Sequence, residues 1–164
     1  MILAAVGAIP PAGADPSAEL MGRLPSGYGS GSCAPADPAG ALAAVTCRDN
    51  VLPGGPTDAT YWLFGDVTAM QEAFAAYLAR PDWMPAPCPG KESAEATPVV
   101  GAHGNPSGLI ACGRGTGTDW QLRDSAVAWT RDADRFLAVA YAEYQGQAFA
   151  AGLFDWVAAQ LRMN

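Results

Sequence analysis

The sequence predicts a single α+β domain: a largely antiparallel sheet of about five strands with two main helices packed on it. Three observations carry that expectation. The stretch Ala59–Arg80, ATYWLFGDVTAMQEAFAAYLAR, joins a bulky apolar run to an amphipathic repeat through a Gly-Asp break. Two further apolar runs, 125–130 and 135–141, flank Asp132-Ala133-Asp134 as the arms of a hairpin. The chain then ends on a helical repeat at 147–161, with Phe149, Leu153, Trp156, Val157 and Leu161 on one face. Adjacent strands with helices set between them belong to the α+β class. A chain of 164 residues fits one domain with a sizeable core.

Taken in order, Met1–Ala14 is an apolar run, then Pro-Pro, then Ala12-Gly13-Ala14. The last three residues match the small-x-small pattern of a signal peptidase site, with Asp15 as the mature start. No Lys or Arg precedes the run, so residues 1–14 read as the remnant of a secretion signal or as an apolar N-terminal arm, and 15–164 as the domain. The run is too short for a transmembrane helix. Pro16–Leu24 fits a short helix capped by Ser17. Loop follows through the first half of the Cys33–Cys47 interval, and Leu42–Cys47 reads as a strand or a short turn into one. Arg48–Asp58, with Pro53-Gly54-Gly55-Pro56, is a loop.

The strand at 60–64 is aromatic-rich and suits a position covered on both faces. Asp66 is placed to cap the helix 67–79, whose apolar spacing runs Val67, Met70, Phe74 and Tyr77 or Leu78. Pro81–Gly108 holds six Pro and four Gly and reads as the longest irregular stretch. Leu109–Gly113 is a short buried strand, and Gly115–Asp124 the connection out of it.

Composition narrows the function. Nine Lys and Arg against sixteen Asp and Glu leave a net charge of −7. The scattered cations do not form the clusters that nucleic acid or an anionic membrane surface requires, so no nucleic acid and no stable membrane insertion is expected. Cys33, Cys47, Cys88 and Cys112 are even in number and form no CxxC pair, which disfavours zinc and favours two disulfides in an oxidising compartment. Three connectivities are open; sequential pairing makes the shortest loops. Each bridge would contribute roughly 3 kcal/mol by restricting the unfolded chain.

The ordered set LPSGY at 24–28, SC at 32–33, AAVTC at 43–47, PGGPTDATYWLFGD at 53–66, ACG at 111–113, AVAWTRDAD at 126–134 and LFDWVAAQ at 153–160 resembles a small extracytoplasmic domain of actinobacteria. That domain occurs as short secreted proteins and beyond the transmembrane segment of some serine/threonine kinases. The resemblance covers about Leu20 to Leu161. It implies cysteines paired within each half, 33 with 47 and 88 with 112, a secreted or periplasmic location in the cell envelope, and a binding or sensor role without catalysis. The sequence carries no kinase signature, having no glycine-rich loop with a catalytic Lys, no HRD and no DFG, so what it shares with those kinases is the outer domain only.

Candidate sites are few. His103, in GAHGNPSG, is the single histidine; with Ser32, Ser107 or Ser125 and an acid such as Asp66 it would make a small secreted hydrolase. Nothing like GxSxG positions such a triad, and an exposed loop histidine is the simpler reading. GRGTGT at 113–118 lacks the Lys and following helix of a phosphate loop and reads as a turn. Asp119, Asp124, Asp132 and Asp134 do not match a calcium loop and read as solvated turn residues. Trp62, Trp129 and Trp156 fall at core positions. Tyr28, Trp83 and Trp120 lie in loops, where exposed aromatics favour binding patches; the other reading is that they plug the sheet edge. The expected function is a non-enzymatic secreted binding or sensor module, without metal or cofactor, whose partner is a protein or small ligand of the envelope. A hydrolase using His103 and a structural subunit of a larger complex are the alternatives.

Overall fold

Two antiparallel meanders meet at the centre of one sheet. The computed structural model describes residues 13–115, 124–143 and 149–162. Strands β1 (Cys33–Ala36), β2 (Ala43–Arg48) and β3 (Asp58–Leu63) run inward from one edge. Helix α2 (Val67–Leu78) then carries the chain across one face to the far edge, where β4 (Met84–Ala86) and β5 (Thr97–Val100) pair with β6 (Pro106–Gly115). From there β7 (Asp124–Arg131) and β8 (Phe136–Ala142) return inward, and β8 pairs with β3. Every pairing is antiparallel. Helix α1 (Pro16–Met21) precedes the first meander and α3 (Ala151–Arg162) follows the second.

The α+β class and the antiparallel sheet are as expected, but the described residues hold eight strands rather than about five. The additional strands are at the edges. β1, β4 and β5 are three or four residues long and carry Pro35, Pro85 and Pro98. Proline removes a donor, so an edge strand with one unpaired side accommodates it while its composition imitates a loop. β4 faces Cys112–Arg114 and β5 faces Pro106–Ile110, on the same side of β6. They are two pieces of one edge strand, interrupted by residues 87–96. The stretch 81–108, expected to be irregular, thus holds two short edge strands and the start of β6 between irregular segments, and the expected strand at 109–113 is longer at both ends. Gly113–Gly115 of the glycine-rich segment is strand, not turn; residues 116–118 lie outside the described residues.

Alternation along the strands divides the core into two faces. Val45, Tyr61, Val127, Trp129, Phe136 and Ala138 face α1 and α3, meeting Leu20, Leu153, Trp156 and Val157. Ala111, Ala126, Ala128, Leu137 and Val139 face α2, meeting Met70 and Phe74. The arrangement is three-layered, and three helices rather than two cover the sheet. α1 earns its place through Leu20, which is fully buried over the first meander. Its N-cap is Asp15, whose Oδ1 accepts from the Ser17 N–H at 3.0 Å; Ser17 is the capped residue and not the cap. Asp66 caps α2 as expected, accepting from the Ala69 N–H at 2.8 Å. The expected start of the last helix at 147 lies outside the described residues; α3 is helical from Ala151.

Both disulfides are sequential: Cys33–Cys47 with an S–S distance of 2.05 Å and Cys88–Cys112 with 2.11 Å. Cys33 and Cys47 are direct cross-strand partners of β1 and β2. Cys88 lies near the start of the interruption of the edge strand and ties it to β6.

Candidate functional site

Of the loop aromatics singled out from sequence, Tyr28 and Trp83 pack on opposite faces of the sheet. Trp83 is only 6% exposed. It lies against Tyr77 in an edge-on contact and so close over Gly113 that a Cβ there would meet its ring at 2.6 Å. It plugs the seam between α2 and the β4 edge, and the expectation of an exposed contact is corrected. The glycine in β6 is the sequence signal for that close approach. Tyr28 is half-buried, and its hydroxyl shares a 2.6 Å hydrogen bond with the hydroxyl of buried Tyr61. Burial raises the pKa of both phenols, far above the ordinary value for Tyr61. Trp120 and Asp119 lie outside the described residues.

His103 is exposed and adopts a left-handed backbone at φ 64°. Two serines considered as its nucleophile are committed elsewhere. Ser107 donates to the Val99 carbonyl at 3.3 Å, and buried Ser125 accepts the Ala150 N–H at 2.9 Å, holding the start of α3.

Asp134 belongs to a charge network rather than to a solvated turn. It lies 3.3 Å from both Arg23 and Arg131, and Arg23 also pairs with Glu19 at 2.6 Å. Glu19 is shared with Arg135 at 3.4 Å. Burial lowers the Arg131 guanidinium pKa, Asp134 opposes that shift and Arg23 adds to it. A cleft of about 390 Å³ opens beside these groups. These ion pairs join α1 to the β7–β8 turn, so the network docks α1 on the hairpin, although buried Arg131 Nε makes no hydrogen bond.

A groove of about 360 Å³ lined by Trp62, Phe64 and Tyr77 opens beside α2. Its one cation among the described residues, Arg80, is already held by Asp82 at 2.6 Å.

The third groove differs. It lies between β5 and α3, about 500 Å³ in volume, with Val99, Val100, Ile110, Phe154, Ala158 and Leu161 among its walls. That volume is within the usual range for small-molecule sites, about 300–1,000 Å³. Phe154, Ala158 and Arg162 follow one another at intervals of four along α3, and Leu161 shares that side. The helix thus has a second apolar stripe beside the one buried on the sheet. Cys88 lines the groove through the turn Cys88-Pro89-Gly90-Lys91. The Lys91 N–H donates to the Cys88 carbonyl at 2.9 Å, with proline second and Gly90 third at φ 79°, the features of a type II turn. Among the described residues, Lys91 and Arg162 are the only charged ones lining the groove, and neither forms an ion pair with another described residue. Sequence reasoning missed this site because its walls come from the interrupted edge strand and from a helix stripe that looks like additional core.

Comparison with protein-family models, with curated proteins and with solved structures returns no match. Among the described residues no helix is long and apolar enough to cross a membrane.

Proposed function

We propose that the chain is a non-enzymatic extracytoplasmic binding or sensor domain whose ligand occupies the groove between β5 and α3. One observation carries the reading: a largely apolar groove of about 500 Å³ lies beside a disulfide-anchored turn, and among the described residues its charged lining is two cations. Apolar walls with a few oriented polar groups are the usual constitution of a small-ligand site. Two disulfides and no thiol left free among the described cysteines support an oxidising, extracytoplasmic compartment. The resemblance to actinobacterial extracytoplasmic domains supports the same reading.

Ala158 is half-buried on the groove wall, so Ala158→Trp fills the groove from the helix side. Purified protein equilibrated with an envelope lipid and metabolite extract, then exchanged into volatile buffer, is expected to carry a discrete small-molecule adduct in native mass spectrometry. The folded Ala158→Trp variant should lose it. Retention of the same adduct by that variant would put the ligand elsewhere. Ester or peptide hydrolysis abolished by His103→Ala alone would replace the binding reading with the enzymatic one.

A further inference from the structure

The groove between β5 and α3 combines three properties that together select a chemical class. Its walls are apolar: Val99 and Ile110 from the sheet side, Phe154 and Leu161 from the helix. Its volume, about 500 Å³, corresponds to roughly sixteen methylene-sized groups at the ~30 Å³ that a water molecule occupies in the liquid. That is on the order of one long alkyl chain. Its charge is uniformly positive in a chain whose net charge is −7.

Lys91 is moreover the only lysine in the sequence. It is held at the end of a turn whose first residue is in a disulfide, so its backbone position is set by two covalent or hydrogen-bonded constraints. Arg162 lies in the last turn of α3, where a cation also favours the helix dipole. That dipole accounts for a cation on Arg162 but not for a second one across the groove on Lys91.

Resting on the binding reading above, we infer that the groove takes one molecule of a single-chain anionic amphiphile, of the long-chain carboxylate class. The alkyl chain lies along Val99, Ile110, Phe154 and Leu161, and the carboxylate meets Lys91 and Arg162. An extended peptide is disfavoured, although among the described residues β5 has no partner on its outer edge. Pro98 lies in the middle of that four-residue strand and has no N–H, which interrupts the ladder an added strand would need.

The test uses dodecanoate below its micelle concentration, with calorimetry and site-resolved acylation of Lys91 by an amine-reactive ester. Because Lys91 is the only lysine, peptide mapping separates its modification from that of the N-terminal amine. Dodecanoate is expected to bind one to one and to slow Lys91 acylation at least fivefold. Dodecyltrimethylammonium should bind at least tenfold more weakly. The double change Lys91→Glu, Arg162→Glu should weaken dodecanoate at least tenfold and leave the fold intact, since both side chains are exposed; Ala158→Trp should abolish binding.

Equal affinity for the anionic and cationic amphiphiles, or an unaffected charge-reversed variant, overturns the anionic head while leaving a groove that binds ligand. No binding of dodecanoate overturns the inference even where the native adduct is found. Binding to phosphatidylglycerol vesicles without binding of monomeric dodecanoate, or tighter binding of an apolar acid-ended hexapeptide that protects the 97–100 amides from exchange, overturns it in favour of a membrane surface or a peptide.

Discussion

Tyr28 and Tyr61 show how one contact joins a glycine-rich loop to the core. Tyr61 is fully buried, packed against Trp129 and Phe136, and its hydroxyl has Tyr28 as its partner. Removing the outer hydroxyl leaves the inner one without that bond in a low-dielectric site. Tyr28→Phe should therefore cost about 1–3 kcal/mol, and the double change with Tyr61→Phe should recover part of that loss. Urea denaturation of the two single variants and the double variant measures the cycle; additive losses would show that the hydroxyls are not coupled. The buried hydroxyl of Thr130 is likewise satisfied, accepting the Leu109 N–H at 2.9 Å. Beside it, Gly108 is required by space: a Cβ would meet the Thr130 carbonyl oxygen at 2.0 Å.

Among elements, α2 and α3 lie on opposite faces of the central strands, and their phasing follows from sequence. Phe74 and Trp156 are 2% and 4% exposed. Phe74→Ala and Trp156→Ala should each cost roughly 3–5 kcal/mol, and because the sheet separates them the losses should nearly add. Thermal or urea unfolding near wild-type stability in either variant would contradict the packing. The interrupted edge strand depends on a different bond. Without Cys88–Cys112, residues 87–96 are tied to β6 only through the short pairings of β4 and β5. Cys88→Ser with Cys112→Ser should cost roughly 2–4 kcal/mol. Amide exchange should accelerate at 84–86 and 97–100 while β3 and β8 keep their protection. Uniform acceleration across the sheet would show that the bridge secures the whole fold rather than its edge.

At the scale of the molecule, wholly or partly buried phenols occur on both faces of the sheet. Tyr28 and Tyr61 lie on the α1–α3 side; Tyr77 and Tyr141, whose hydroxyls are bonded to one another, lie on the α2 side. Burial is the leading cause that raises all four pKa values in the folded state. In the unfolded chain the same groups release protons near pH 10. Above that pH the unfolded state binds fewer protons than the native one, so stability is complete below about pH 10 and falls as pH rises beyond it. Urea midpoints from pH 8 to 11 should show the decline, with a shallower slope in Tyr61→Phe. The two halves of the chain each run three strands into a helix, yet the helices cover opposite faces. An axis exchanging the antiparallel β3 and β8 would be perpendicular to the sheet and would keep both helices on one face, so the halves are not rotational copies.

The α+β class, the β7–β8 hairpin, the cap and buried face of α2, and the core face of α3 were legible in the sequence, because periodicity and caps are local properties of the chain. The two disulfides were legible as a preference for short loops together with a resemblance. The edge strands were not: three or four residues containing proline are strands only because a neighbour supplies the ladder. Trp83 read as a loop aromatic because the space it fills belongs to Gly113, thirty residues away. The groove was illegible for the same reason. Lys91, Val99 and Phe154 come from a turn, an edge strand and a helix, and only tertiary packing brings an apolar wall from each into one cavity with a single sign of charge.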